Sequence, residues 1–368
     1  MTSATALRKR QWVSLPGGSC DVRLGTNVLD ESSAIFKGAV GKPRVAALVI
    51  ERGVAEEHLE LLRRQLRDAG FTVAEVALPS GPSARTLSST ASLLTELEAT
   101  GVTADDLMVA VGGVDVLSVA SYVCAQWCNS MPLVMVPTSC AALLEAPVTP
   151  RGIDVGGREQ VLSLRPAAKH VLFDFGVALD EDDREDALMA RVLMVVTAMC
   201  DSEAAFSRLW DHADKICSFD HEVLCDQLQD TVKLRGKTIS STAIALRQSL
   251  SYGTSFARAL QRLVGDELPA STARAEALRF QARLAAGEGM FEVDDVLAQD
   301  ELLDMLELPL LHATVDPAEL IEAVRNERFA RSNRFLLGLP RKLGRVRLAA
   351  VSDELIAEHV AAWCASRA

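Results

Sequence analysis

The chain has 368 residues, of which 49% are apolar and 24% charged, and its 38 basic and 50 acidic side chains give a formal charge of −12. Such a composition excludes a disordered or fibrous protein. The acidic balance argues against a nucleic-acid partner, whose phosphates need a basic face. The length favours two domains over a single core.

In chain order, Arg44 to Glu51 is a β-branched apolar run of the kind found in buried strands. A helix is predicted over 55–69, with Leu59, Leu62 and Leu66 at helical spacing and Gly70 as its stop. A strand follows over 71–78, and the turn Pro79 to Pro82 ends it. Next come a helix over 86–100, a strand over 107–111, a helix over 115–128 and a strand over 133–136 closed by Pro137. Strands alternating with helices of this length imply a Rossmann-like parallel sheet covered on both faces.

After the acidic stretch 180–186 long helical patterns dominate: 184–209, 221–249, 255–265, 272–287 and 352–366, with strand-like runs only at 334–339 and 345–350. The boundary is therefore placed near residue 180, with an α/β domain over 1–180 and a mainly helical domain over 181–368.

The basic residues Arg8, Lys9 and Arg10 are followed by no apolar stretch, so a secretory leader is not expected and the cytoplasm is the expected compartment. The apolar run 107–125 is interrupted by Gly112, Gly113 and Asp115, which reads as strand, turn and helix rather than a membrane span, so no membrane partner is expected. The eight cysteines are expected as thiols. Core packing accounts best for Cys124 and Cys128, one helical turn apart, since nothing nearby completes a metal ligand set. His212 and His221, with Asp211, Asp214 and Asp220 around Cys217, match no standard metal spacing and read as a mixed-charge surface loop.

A strand, Gly112-Gly113 and then a helix is the layout of a phosphate-cradling turn, because glycine admits a pyrophosphate close to the helix N-terminus. In order and spacing, Leu78-Pro-Ser-Gly81, Asp106 to Asp115 and Met131 to Ser139 resemble the LP-GE-K, LGGGVVGDLAGF and VPTTLLA segments of the 3-dehydroquinate synthase family. Later landmarks are similar too: Pro166 to Asp174 looks like QPKAVLID, Arg247 to Gln261 like R-LLN-GHTFGHAIE, and Phe335 to Gly344 like FVLP–LG. The resemblance spans nearly the whole chain. It implies a sugar-phosphate cyclase architecture, an NAD-binding domain with a helical metal and substrate domain, assembled as a homodimer. It also implies conversion of a seven-carbon sugar-acid phosphate to 3-dehydroquinate in the shikimate pathway.

Carried across residue by residue, the resemblance assigns Gly112, Gly113, Ser118, Thr138 and Ser139 to the cofactor, although Val114 replaces the third glycine and Ser118 the family's aspartate. The GE-K glutamate and lysine become Pro82 and Arg85. Asn129 stands in the RG position, and Arg151 and Arg158 take the places of two substrate-binding lysines, solvated faces being the other reading of both arginines. Lys233 and Arg247 match the family's basic pair, and Arg258 replaces a motif histidine. Together these cations would hold a small anionic metabolite by its carboxylate or phosphate.

The family's divalent metal, usually zinc, rests on one glutamate and two histidines. Their counterparts are Arg191, Thr254 and Ala270 or Ser271, and Met194 replaces a lysine near the glutamate. None of these is a good zinc ligand, so a metal is not expected and turnover is expected to be weak or absent. The alternative is a non-catalytic homologue that binds a nucleotide or an anionic metabolite.

Overall fold

The computed structural model describes residues 7–180, 183–265 and 267–368. The chain builds two compact units: the first runs to Asp180 and takes in Leu228–Ser240, and the second holds the residues between Asp180 and Leu228 and those after Ser240.

The first unit contains β1 (Arg8–Leu15), β2 (Gly18–Gly25), α1 (Ser32–Ala39), β3 (Val45–Glu51), α2 (Glu56–Asp68), β4 (Thr72–Leu78), α3 (Leu87–Thr100), β5 (Leu107–Gly112) and α4 (Val114–Gln126). It continues with β6 (Leu133–Pro137), α5 (Cys140–Glu145), β7 (Arg151–Val155), β8 (Arg158–Leu164), β9 (His170–Asp174) and α6 (Phe175–Ala178). Seven strands form one sheet in the order β1-β2-β9-β6-β5-β3-β4. All pairs are parallel except β1 with β2. The fully buried runs of β5 and β6 suit the centre of such a sheet. Leu59, Leu62 and Leu66 of α2 pack with Leu48, Ile50 and Val109 in one core, as the helical spacing requires. The hairpins β1–β2 and β7–β8 add to the expected alternation.

Strand β3 lies between β4 and β5, so the strand order reverses between β3 and β5. Open α/β sheets bind ligands in the crevice outside the carboxyl ends of the strands at such a switch point.

The remaining elements are α7 (Arg184–Asp201), α8 (Glu203–Cys217), α9 (His221–Ile239), α10 (Ile244–Arg247), α11 (Thr254–Val264), α12 (Ala270–Gly287), α13 (Val293–Met305), α14 (Pro317–Phe329), β10 (Leu337–Lys342), β11 (Arg345–Ala349) and α15 (Asp353–Arg367). Two expected helices are broken here. The run 184–209 stops at Ser202, whose extended backbone and side chain, accepting from the Ala205 N–H at 3.2 Å, begin α8 as a cap. The run 221–249 ends at Ile239, where the Ser240 hydroxyl turns back onto the Gly236 carbonyl and Arg247 falls in the separate α10. Serine hydroxyls offer the backbone partners that compete with the helix ladder. The strand expected from residue 334 begins at Leu337.

Helix α12 is buried along most of its length. Phe280 stacks on Phe256 with centroids 4.0 Å apart, and Trp363 meets Phe256 edge-on at 5.4 Å. Among the described residues no helix is long and apolar enough to cross a membrane.

Candidate functional site

Sheet register assembles the first half of the site. Ile50 pairs with Val111 and Gly112 with Pro137, so Glu51, Gly112 and Thr138 emerge side by side at the carboxyl ends of β3, β5 and β6. Gly112 has φ +153°, and a Cβ there would lie 2.6 Å from Glu51 Oε2, so glycine is required twice over. Gly113 caps α4, and its N–H donates to the Glu51 carboxylate. The Thr138 N–H donates to the Gly112 carbonyl at 3.1 Å. The Ser139 hydroxyl accepts from the Ala142 N–H at 3.2 Å and so caps α5.

This arrangement offers a helix N-terminus to an anion, with a carboxylate at the end of the neighbouring strand able to accept ribose hydroxyls. Glu51 is absent from the sequence-derived site. The signal for it is an acid closing a buried apolar run, and its meaning depends on which strand lies next to β3. Ser118 is fully buried, and its hydroxyl donates to the Val114 carbonyl at 2.5 Å, so it is spent inside α4 rather than facing the turn.

Arg85, only 7% exposed, lies in the turn before α3 and pairs with Asp115 at 3.1 Å and Asp154 at 3.4 Å. It ties the first turn of α4 to strand β7, so its charge is balanced by carboxylates from both sides. Asn129 does not join this site. It sits exposed past the far end of α4, whose 13 residues separate the two ends by about 20 Å. Register puts Arg151 opposite Leu164 and Arg158 opposite Val155, so the two arginines lie at opposite ends of the β7–β8 hairpin. Arg158 is exposed, and the side chain of Arg151 lies outside the described residues.

Of the expected cationic cluster, Lys233 belongs to the first unit and is exposed on α9, where the buried cation is Arg235 instead. Arg247 and Arg258 belong to the second unit. The Arg247 guanidinium donates to the Ser241 carbonyl at 2.6 Å and the Thr242 carbonyl at 3.3 Å, which spends it on the loop before α10. Arg258 is half-buried on α11. Arg328 on α14, which the sequence reading passed over, is half-buried with no partner for its Nε. Burial and then the neighbouring Arg334 lower its pKa, as for a cation lacking an anion.

The positions that resemble metal ligands carry other chemistry. The Ser271 N–H and hydroxyl both donate to the Glu185 carboxylate, at 2.9 and 2.5 Å. Arg191 is buried and donates to Glu307 at 2.9 Å and to the Leu306 carbonyl at 3.1 Å. Thr254 opens α11 from a loop held by Gly253, whose N–H donates to Gln281 at 2.6 Å, and by the fully buried Tyr252. A hydroxyl already hydrogen-bonded, a second hydroxyl and a guanidinium do not fit a divalent cation. Among the described residues no three His, Cys, Asp or Glu side chains come together as a ligand set, around Cys217 or elsewhere. Cys124 is buried and donates to the Met131 carbonyl at 3.1 Å, whereas Cys128 is exposed in a left-handed turn at φ +47° and so does not share its core role.

A doubly wound sheet with a glycine turn at its switch point, followed by a helical unit, is the architecture that the family resemblance implies. The sequence model of the 3-dehydroquinate synthase N-terminal domain matches residues 75–182. The 3-dehydroquinate synthase of Rhodopirellula baltica is 22% identical over 337 residues, 90% of this chain and 89% of that protein. A crystal structure of 2-deoxy-scyllo-inosose synthase, complexed with carbaglucose-6-phosphate, NAD+ and Co2+, superposes with a TM-score of 0.84 at 15% identity, covering 96% of this chain and 99% of that one. A 2-epi-5-epi-valiolone synthase from Streptomyces hygroscopicus subsp. jinggangensis, with NAD+ and Zn2+ bound, gives 0.81 at 17% identity over 96% and 99%. In sequence the chain is similar to 3-dehydroquinate synthases, and its fold is that of the sugar-phosphate cyclases it superposes on.

Proposed function

We propose that this protein keeps the dinucleotide site of its family and has lost the metal-assisted half of the cyclisation. It binds NAD at the turn formed by Glu51, Gly112, Gly113, Thr138 and Ser139, holds a small anionic metabolite, and converts the seven-carbon sugar-acid phosphate weakly or not at all. The observation that carries this reading is the lock between Glu185 and Ser271 at a position of the ligand set. A cyclase of this kind oxidises a secondary alcohol, and a divalent ion lowers the barrier by polarising that oxygen, an effect worth several kcal/mol. Loss of the motif histidine to Arg258 removes a general acid–base group worth about 10²- to 10⁴-fold, because a guanidinium stays protonated near neutrality.

The half-buried Arg328 beside Arg334 supports an anion subsite in the helical unit. Free cysteines throughout the described chain are consistent with a cytoplasmic home, and the family resemblance supports a homodimer. The test is calorimetric titration with NAD, alongside phosphate release from the seven-carbon substrate with NAD and added zinc or cobalt. Saturable NAD binding without phosphate release is expected. Robust turnover with metal would overturn the reading.

A further inference from the structure

The face of α12 that meets α15 carries chemistry unrelated to the turn at the switch point. Glu276 of α12 is fully buried and accepts from Trp363 Nε1 at 3.1 Å, Arg367 Nε at 2.9 Å and the Leu311 N–H at 3.2 Å. One carboxylate thereby fixes the first side of the Arg367 guanidinium. Its Nη1 makes only a long contact of 3.5 Å to the Ser366 hydroxyl, and Nη2 has no protein partner among the described residues.

Next to this guanidinium lies a cavity of about 270 Å³, walled by Arg279, Arg283, His359, Ser366 and Arg367 and floored by apolar atoms of Ala362 and Trp363. No carboxylate lines it. Arg279 is balanced by Asp304 at 2.8 Å and Glu276 at 3.6 Å, and Arg283 by Asp300 at 2.5 Å, none of which is among the lining residues. His359 packs against Gly287, where a Cβ would collide with its Nε2, and makes no hydrogen bond among the described residues. In a chain of net charge −12, a cavity whose lining holds three arginines and an imidazole but no carboxylate favours anions.

We propose that this cavity is a binding site for a small organic carboxylate, its charged end on Arg367, Ser366 and His359 and its apolar body against Ala362 and Trp363. The volume admits a single ring or a short chain and excludes a dinucleotide. The site lies wholly in the helical unit and does not depend on the NAD reading above.

Calorimetric titration of the full chain with sodium benzoate, at ionic strength held constant with chloride, tests it. Saturable binding is expected, unaffected by saturating NAD and tighter than for acetate or inorganic phosphate because of the apolar floor. His359→Gln, which leaves the Glu276 network intact, should weaken benzoate about tenfold, the loss of one polar contact to the carboxylate, and Arg283→Gln should weaken it less, because its guanidinium is already paired with Asp300. Arg328→Gln should leave it unchanged. Ser366→Ala is a milder second probe if either rim variant melts early. Absence of saturable benzoate binding, equal affinity for acetate, or binding that survives the rim variants and disappears in Arg328→Gln would overturn the proposal.

Discussion

The Glu185 carboxylate receives both the N–H and the hydroxyl of Ser271, joining the first turn of α7 to the first turn of α12. A carboxylate at a helix N-terminus is favoured by the dipole as well as by its hydrogen bonds. The contact therefore binds two helices together without an ion. Ser271→Ala should remove one charge-assisted hydrogen bond and lower the melting temperature by about 3–6 °C, from about 1.5 kcal/mol on a domain of this size. A chelator should leave the wild-type melting temperature unchanged by scanning calorimetry. A fall of several degrees with the chelator would show that a metal, not Glu185, holds this end of α12.

Glu51 makes a separate prediction. Its carboxylate is pinned by the Gly113 N–H at the end of β3, where the adenosine ribose of a dinucleotide lies in this fold class. A fixed negative charge there repels a 2′-phosphate, so the protein should prefer NAD to NADP by about tenfold or more. Glu51→Gln should narrow that preference mainly by weakening NAD. Titration of both nucleotides against both proteins decides it, and an unchanged ratio would place the ribose elsewhere.

Gly112→Ala tests the turn itself. The new methyl would have to adopt φ +153° and displace Glu51. Strain of this kind costs about 1–3 kcal/mol, and NAD binding should fall below detection while the far-ultraviolet spectrum stays that of wild type. Retained affinity would remove the glycine turn from the cofactor site.

The core of the fold is readable along the chain because its signals are local. The apolar run of β3, the leucine spacing of α2 and the stop at Gly70 each act over a few residues. The helix breaks at Ser202 and Ser240 are less readable, since a serine within a helical pattern becomes a cap only when tertiary packing turns the chain there. The site is harder still. Glu51 acquires its role from the register of β3 against β5. Arg85 acquires one partner, Asp154, from a hairpin some 70 residues downstream and the other, Asp115, from the first turn of α4. Arg247 sits at a familiar spacing, yet its guanidinium turns to the Ser241 carbonyl, a side-chain choice that sequence pattern does not encode. Asn129 shows the limit of motif transfer, because its place after α4 puts it at the wrong edge of the sheet for the turn.

Arg85 provides a test of how that hairpin is held. Its side chain is 9% exposed and those of Asp115 and Asp154 about 20% (19 and 21%), so solvent screens the pairs only in part. Arg85→Ala would remove the cation that Asp115 and Asp154 share. A loss of about 3 kcal/mol is expected, at the low end for buried pairs because of that partial exposure. Arg85→Ala combined with Asp154→Asn should recover part of it. Urea unfolding of the single and double variants checks this, and additive losses would mean that Arg85 and Asp154 do not interact.

His170 and Asp21 pair in register across β9 and β2, with the imidazole Nδ1 3.5 Å from the carboxylate. Burial lowers the His170 pKa and outweighs the pull of Asp21 in the other direction, while Arg23 and Lys169 add to the lowering. In the unfolded chain the imidazole takes up its proton near its ordinary value of about 6.5. Between that value and the lower folded one, the unfolded state binds more protons, so stability falls as pH drops below about 6.5. Asp21 acts at lower pH and by the opposite balance. Burial raises its pKa, but the Arg10 and Arg23 guanidinium groups outweigh burial and hold it below the usual range. Its contribution is full above about pH 4 and is lost on further acidification. His170→Gln should therefore flatten the decline between about pH 7 and pH 5.5 and leave the steeper acid loss in place. Urea midpoints at pH 7.5, 6.5 and 5.5 for both proteins measure it, and parallel slopes would show that some other group titrates in that window.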